Sequence, residues 1–189
     1  MKTFLFLILF AFCIFNLTCN RVDDGRLTIC FAFQDLETEF WVAAHKAITE
    51  TLSERGVRVI ERNASEDANR QLEQVRDAIA QGVDGIIVIP QDGQSANTII
   101  GEANDAGVPI GIFNRPPADS SRDAIVIVAD NEYIAEQAVD FMVSEAAKRD
   151  RKSTPCIIVG DLSDPNAVER KNGFYAAIEK RPDLFHPVI

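Results

Sequence analysis

From Arg26 onward, the sequence alternates short apolar runs with longer segments of helical periodicity, and this alternation limits the chain to few folds. Strands of a parallel sheet are buried on both faces, so they are continuous apolar runs, and helices connect them. The pattern therefore predicts an α/β fold with a parallel sheet. The predicted strands are 27–33, 57–61, 85–90, 108–113, 124–129 and 155–160.

Apolar stripes and glycines define the predicted helices between these strands. The stripe of the first helix comprises Phe40, Ala43, Ala44, Ala47, Ile48 and Leu52, and that of the second comprises Leu72, Val75 and Ile79. Gly56 and Gly82 are predicted to end these two helices, and Gly107 to end a third that covers about 95–106. Two further helices are predicted at about 131–148 and 166–180.

The run 124–129 differs from the other predicted strands because the loop before it is too short to contain a helix. A crossover within one parallel sheet normally needs about a dozen residues or more. We therefore expect this strand to leave the first sheet, and we place a lobe boundary near Asp130. The predicted organisation is a signal peptide at 1–18, a linker at 19–26, an N-terminal lobe at 27–129 and a partial C-terminal lobe at 130–189. The second lobe lacks enough elements to cover a sheet, so we expect a truncated fragment.

The charge balance argues against two classes of partner. The chain has 19 basic and 29 acidic residues, a formal net charge of -10, and no run rich in Lys or Arg. Nucleic acids and anionic membrane surfaces attract basic proteins, so neither is an expected electrostatic partner.

The first residues are predicted to be an export signal. Lys2 precedes an apolar run at 4–15, and twelve residues are too few to span a bilayer, which needs about 20. The following Leu17-Thr18-Cys19-Asn20 resembles a bacterial lipoprotein processing site, although Asn16 and Thr18 depart from the usual pattern. We expect lipidation at Cys19, with a short uncleaved anchor as the alternative. In both cases the folded part is exported, to the periplasm or the cell surface.

Residues for catalysis or metal binding are scarce. Outside the leader, Cys30 and Cys156 lie in apolar runs without a CxxC spacing, so both are predicted to be buried thiols rather than disulfide partners or metal ligands. His45 lies off the predicted stripe and is expected to be solvated. The sequence has no phosphate-binding loop, nucleophile elbow or HExxH motif, so no cofactor, metal or catalytic residue is expected.

Polar side chains follow the strand at 108–113, where Asn114 and Arg115 precede Pro116. Ligands of parallel sheets bind beyond the carboxyl ends of the strands. An amide offers both a donor and an acceptor, and a guanidinium offers five donors, a combination that suits hydroxyl-rich molecules or carboxylates. An ordinary solvated exit from the strand is the alternative.

Two other strand ends carry candidate ligand-binding residues. In the loop at 34–41, Phe40 and Trp41 cannot both face the core of one helix, so one of them either packs in the core or forms a stacking wall for a ligand. In the loop at 161–170, Asp164 or Asn166 is expected to cap the following helix. Arg170 lies one turn further along on the same face, where it is able to point with Asn166 into a cleft.

Taken in order, these three loops resemble the bacterial sugar-binding proteins of ABC uptake systems, a branch of the type I periplasmic binding proteins that includes the galactose/glucose and ribose binders. The resemblance implies two Rossmann-like lobes of three-layer α/β/α type, the second incomplete here. It implies that Phe40, and Trp41 with it, stacks on the sugar. The segment 113–115 is similar to the strand end of the galactose/glucose type, whose Asn binds sugar hydroxyls and precedes a basic residue.

In the second lobe, Asp164, Asn166 and Arg170 are similar to the sugar-contacting loop of the same type, and 128–131 is similar to the segment between the lobes. Thr38 and Asn166 stand where the galactose/glucose type has Asp, so the site is less anionic. The stretch 148–154 lacks the oxygen-ligand spacing of that type's calcium loop, so no calcium is expected.

The resemblance implies an exported, lipid-anchored and monomeric protein that captures a hexose or pentose for the membrane permease of an ABC transporter and is not an enzyme. Its lobes are expected to close about a hinge near Asp130. The alternative is a module that senses a sugar or autoinducer for a membrane receptor. As a fragment, the chain is expected to bind sugar weakly or not at all.

Overall fold

The computed structural model of the chain describes residues 24–119 and 121–188. The predicted leader and Cys19 lie outside the described residues. Within the described part, five parallel strands form one sheet in the order β2-β1-β3-β4-β5. The strands are β1 (Thr28–Phe33), β2 (Arg58–Asn63), β3 (Gly85–Val88), β4 (Ile110–Phe113) and β5 (Ile125–Ile127). The prediction of an α/β fold with a parallel sheet is confirmed.

The helices begin at polar caps that the sequence supplies. They are α1 (Glu39–Glu54), α2 (Ala68–Ala80), α3 (Gly93–Asp105), α4 (Asn131–Ala146) and α5 (Pro165–Glu179). Asp92 forms a capping box with Ser95 at the start of α3, and Asp67 accepts hydrogen bonds from two backbone N–H groups of α2. Gly82 and Gly107 follow α2 and α3 with φ of 75° and 69°, which is the left-handed region that glycine adopts at low cost.

The sheet has apolar side chains on both faces because successive residues of a strand point to opposite sides. Cys30 and Ala32 belong to a cluster that α2 and α3 cover, whereas Phe31 and Phe33 belong to a second cluster that α1 covers. The sheet therefore lies between two helical layers.

The strand β5 does not leave the first sheet, which corrects the expectation drawn from its short connection. It pairs in parallel with β4, with Gly111 opposite Ile125 and Phe113 opposite Ile127. The connecting loop reaches across because it rests on α3: Ala118 N donates to Gly93 O at 2.9 Å. Asn104 of α3 also donates to Asp123 O at 2.8 Å. Helix α3 thus supports the loop that connects β4 to β5.

The buried face of α1 also differs from the prediction. Phe40 is 56% exposed, and the residues that face the sheet are Trp41, His45 and Ile48, which are spaced by four and then three positions. His45 is not a solvated residue, because its ring stacks on Phe31 with centroids 5.7 Å apart and its Nε2 lies 2.5 Å from Glu61 Oε2. The predicted stripe is correct at Ile48 but wrong at Phe40, Ala43 and Ala47, which are exposed. It was drawn partly through alanines, which contribute little apolar area.

The predicted strand at 155–160 is not formed. Among the described residues this segment has no strand beside it, and the nearest pairing is an isolated bridge between Ser153 and Phe185. Ile158 is 96% exposed, and Cys156 is exposed rather than buried. An apolar run becomes a strand only when a neighbour supplies the ladder of hydrogen bonds. Cys30, in contrast, is buried and unpaired as predicted.

Helices α4 and α5 pack against each other after the sheet. Their shared cluster contains Val139, Ala146, Phe174, Ala177, Ile178 and Phe185. None of the helices at 24–119 and 121–188 is both long and apolar enough to cross a membrane.

Candidate functional site

The predicted ligand residues of the β4 and α5 loops meet at the carboxyl ends of the strands. Asn114 directly follows β4 with a φ of 71°, a conformation that Asn tolerates better than most residues and that turns the chain sharply. Nδ2 of Asn166, in the first turn of α5, donates to Asn114 Oδ1 at 2.8 Å and to Asn114 O at 3.2 Å. Two segments far apart in sequence are thereby joined.

A third amide extends this contact. Asn131, the first residue of α4, is buried and donates from Nδ2 to Asn166 Oδ1 at 2.8 Å. Its own Oδ1 accepts from Nε of Arg170 at 2.8 Å. The three asparagines and Arg170 therefore form a continuous chain of hydrogen bonds, in which the amides of Asn131 and Asn166 both donate and accept and that of Asn114 accepts.

Arg115 lies beside this chain and is held by several oxygen atoms. Its Nη1 donates to Gln91 O at 2.6 Å, to Pro90 O at 3.3 Å and to Gln34 Oε1. Its Nε is buried, lies 3.4 Å from Asp164 Oδ2 and makes no hydrogen bond within the described residues. The guanidinium is thus held at Nη1 by these three oxygen atoms, while its Nε faces the carboxylate of Asp164.

The two aromatic residues at the start of α1 lie at the same end of the sheet. Their rings pack edge to face, with centroids 4.8 Å apart. Trp41 packs against the cluster of Phe31 and Phe33, and the Cζ atom of Arg115 lies 6.0 Å from its ring centroid. This is at the outer limit of a cation–π contact. Phe40 presents an exposed apolar face on the outside.

Three of the predicted functional residues serve as helix caps. Thr38 Oγ1 accepts from Trp41 N at 3.5 Å, Asp130 Oδ1 from Tyr133 N at 2.9 Å, and Asp164 Oδ1 from Asn166 N at 3.0 Å. Asp164 carries both functions, since its other oxygen faces Arg115. A cap contributes about 1 kcal/mol, which accounts for these residue types without a ligand.

The electrostatics of the site are close to balanced. Asp164 opposes the charge of Arg115, both being largely buried. Nearby, the pKa of Asp161 is lowered, chiefly because the backbone N–H of Ser163 donates to its carboxylate at 2.8 Å, with a smaller attraction from Arg115. The region therefore presents neutral amides and paired charges rather than a strong field of one sign.

Several residues of the site were missed by the sequence analysis. Gln34 and Asn131 make central hydrogen bonds, and Gln71 holds the segment after β3, with Nε2 donating to Ile89 O at 2.9 Å. The available signal for Gln34 was its place directly after β1. Gln71 lies on the predicted second helix next to Leu72 of the buried stripe, and only its complete burial reveals its role.

The chemistry of this arrangement is that of binding. Amide and guanidinium groups at a sheet edge donate and accept hydrogen bonds, and an exposed aromatic face covers apolar C–H surfaces. No group of three or more His, Cys, Asp or Glu side chains within residues 24–119 and 121–188 is arranged to hold a metal ion.

Fold and site together define a class: α/β proteins with a doubly wound parallel sheet and a ligand-binding edge at its carboxyl ends. A family model described as a periplasmic binding protein domain matches residues 29–187. The chain therefore belongs to the periplasmic binding protein domain family, and the predicted resemblance is confirmed.

Individual relatives give the same result. The chain is 31% identical over 129 residues to the ribose import binding protein of Bacillus subtilis. The aligned residues cover 68% of this chain and 42% of that protein. It is 28% identical over 150 residues to a galactofuranose-binding protein of Escherichia coli, covering 76% of this chain and 46% of the relative. A solved Mycobacterium smegmatis structure in complex with beta-D-fucofuranose matches with a TM-score of 0.78 at 25% identity, over 86% of this chain and 54% of that one. The chain thus spans about half the length of the proteins it matches.

Proposed function

We propose that this chain is the sugar-contacting part of an exported binding protein that captures a monosaccharide for the permease of an ABC transporter. The observation that carries the proposal is the meeting of Asn114, Arg115, Asp164 and Asn166 at one end of the sheet, beside exposed Phe40. The relatives named for binding ribose and galactofuranose support the same class of ligand.

Each group has a role that its chemistry supports. Phe40 and Trp41 cover the C–H face of the sugar ring, because aromatic faces pack well on such apolar surfaces. Asn114, Asn166, Arg115 and Arg170 exchange hydrogen bonds with the hydroxyl groups, and Thr38 and Asp164 add further acceptors. Because Asn114 and Asn166 already bond to each other, a sugar must replace that contact. We therefore expect weak binding by this chain.

The wider proposal concerns the organisation of the protein. We propose an N-terminal lobe at 27–129 and part of a second lobe from 130 onward, with Asp130 at the hinge between them. The leader at 1–18 directs export, and lipidation of Cys19 anchors a monomer to the membrane. The protein binds without catalysis and takes no cofactor, and its partners are the sugar and the permease rather than nucleic acid.

Nuclear magnetic resonance titration of the 189-residue chain with a panel of hexoses and pentoses tests this function. We expect saturable shifts, with dissociation constants on the order of millimolar, at the amides of 34–41, 114–115 and 164–170. The substitution Asn114→Ala removes one hydroxyl partner and is expected to abolish these shifts.

The matched control is Asn97→Ala, which makes the same chemical change on α3, where Asn97 donates to Asp119 Oδ2 at 3.0 Å. This variant is expected to bind as the unchanged chain does. Saturable shifts in some other region, or none with any sugar of the panel, contradict the proposal.

A further inference from the structure

We propose that Gln34 is a positioning residue that fixes the guanidinium of Arg115 in its place between Trp41 and Asp164. The consequence for sugar affinity rests on the proposed function, whereas the positioning of Arg115 does not. Gln34 is the first residue after β1 and is 4% exposed, so its amide is not oriented by solvent. Its hydrogen bonds must therefore come from neighbouring side chains and backbone.

The neighbours of Gln34 determine which end of its amide faces Arg115. Nε2 of Gln34 donates to Oδ2 of the buried Asp35 at 2.7 Å. The other oxygen of Asp35 accepts from Glu37 N at 2.9 Å, which holds the carboxylate in position. Because a carboxylate accepts and does not donate, the amide nitrogen is directed toward Asp35. The amide oxygen is left to accept from Arg115 Nη1, as the structure shows.

Arg115 Nη1 donates to three oxygen atoms. Gln91 O and Pro90 O are backbone carbonyls, and Gln34 Oε1 is the one side-chain acceptor among the three. A long arginine side chain held along one edge has few remaining orientations. The orientation observed places Cζ 6.0 Å from the Trp41 ring centroid and Nε 3.4 Å from Asp164 Oδ2. Gln34 thus prepares Arg115 before a ligand arrives, and preorganised groups bind more tightly than mobile ones.

Two substitutions of nearly equal volume separate positioning from packing. Gln34→Met fills the same space without the amide oxygen that Arg115 bonds to. The double substitution Gln34→Glu/Asp35→Asn keeps an oxygen acceptor for Arg115 and exchanges donor and acceptor between positions 34 and 35, because the amide at position 35 then donates to the carboxylate at position 34. Trp41 is the only tryptophan of the chain, so intrinsic fluorescence reports the guanidinium beside its ring without any ligand. We expect Gln34→Met to shift the emission of Trp41 and to increase its quenching by acrylamide. We expect Gln34→Glu/Asp35→Asn to leave both close to those of the unchanged chain.

Gln74→Met is the matched control, because Gln74 lies on α2 and its Nε2 donates to Asn63 O rather than to any group that contacts Arg115. It is expected to leave the Trp41 signal unchanged. If Gln34→Met does not fold by circular dichroism, Gln34→Ala supplies a second variant without an acceptor. An unaltered Trp41 signal in the variant without the amide oxygen overturns the proposal. So does a Gln34→Glu/Asp35→Asn chain whose Trp41 signal changes as that of Gln34→Met does.

The sugar titration adds a second measurement. Gln34→Met is expected to weaken monosaccharide binding by about tenfold, and Gln34→Glu/Asp35→Asn to bind as the unchanged chain does. If no sugar binds the unchanged chain, the proposed function fails while the Trp41 measurement still decides the role of Gln34. A shifted Trp41 signal with unchanged sugar affinity contradicts the consequence of positioning for binding.

Discussion

Buried amide side chains organise the loops at the carboxyl ends of the strands. Gln34, Gln71, Asn131 and Asn166 are all buried, and each has its amide bonded to a neighbour. An uncharged amide costs less to bury than a carboxylate or an ammonium group, provided that its hydrogen bonds are made. Amides thus connect loop segments inside the protein without leaving an unpaired charge.

Gln71 gives the sharpest prediction at the scale of a single residue. It is fully buried; Nε2 donates to Ile89 O at 2.9 Å, and Oε1 accepts from Gln91 N at 3.2 Å. Gln71→Ala leaves both backbone groups without their partner, so we expect the free energy of unfolding to fall by about 2 kcal/mol or more. Urea denaturation measures this loss.

The control for Gln71 is Gln74→Ala, one turn further along the same helix. Within the part of the chain that the structure describes, Gln74 makes one hydrogen bond, to Asn63 O, and it is half-buried. We expect its loss to stay within about 1 kcal/mol. Equal losses for the two substitutions would show that the fully buried amide of Gln71 contributes no more to stability than the half-buried amide of Gln74.

At the scale of elements, the sequence predicts best where local chemistry decides the structure. The glycines Gly56, Gly82 and Gly107 each follow a helix with a positive φ, so the ends of α1, α2 and α3 were foreseeable. The first four predicted strands are formed, because each apolar run pairs with a neighbouring strand in the sheet. The segment 155–160 has the same local pattern but no neighbouring strand among the described residues, and sequence periodicity does not contain that information.

The candidate site was foreseeable to a similar extent. Asn114 and Arg115 were selected because they follow a strand, and the structure brings Asp164 and Asn166 to them. Gln34 was not selected, because the direction of a buried amide depends on neighbours from other segments, here Arg115 at a distance of 81 positions. Phe40 was placed on the apolar stripe of α1, with a stacking wall as the alternative, because periodicity alone does not decide which of two adjacent aromatic residues faces the sheet; the structure packs Trp41 against it and leaves Phe40 exposed.

The packing of α4 on α5 depends on a glycine. A Cβ atom at Gly173 would lie 2.4 Å from Glu132 O and 3.0 Å from Glu132 Cα, which are backbone atoms in the first turn of α4. Gly173→Ala must therefore push the two helices apart, and we expect a loss of about 2–3 kcal/mol in the free energy of unfolding. Thermal or urea denaturation measures it.

Gly160→Ala is the matched control, since a Cβ atom there would meet Ala167 Cβ at 3.8 Å, an ordinary contact. Little change is expected. Because Glu132 adjoins Asn131, the Gly173 substitution is also expected to disturb the hydrogen bond between Arg170 and Asn131. A Gly173→Ala chain as stable as the Gly160 control would mean that the helices are not in close contact.

At the scale of the whole molecule, burial is unevenly distributed between the sheet and the segment after it. Cys30 lies without exposed surface in β1, which has a strand on either side, and Cys156 lies exposed in a segment that has no strand beside it among the described residues. The thiolate is the form that alkylating reagents attack. Burial raises the pKa of Cys30 to about 11, with a small opposing effect of Arg62. The two thiols therefore report on different parts of the molecule.

We expect iodoacetamide at pH 8 to modify Cys156 in the native chain while Cys30 reacts only through global unfolding, on the order of a thousandfold more slowly. Peptide mass spectrometry distinguishes the two sites. The folded pKa of Cys30 lies above its ordinary value of 9.0, so the stability linked to its neutral form is complete below pH 9 and is lost as the pH rises toward about 11. Modification of Cys30 should accelerate over that range and track the unfolding free energy measured with urea. Comparable rates at the two thiols at pH 8 would show that β1 opens without unfolding of the whole sheet.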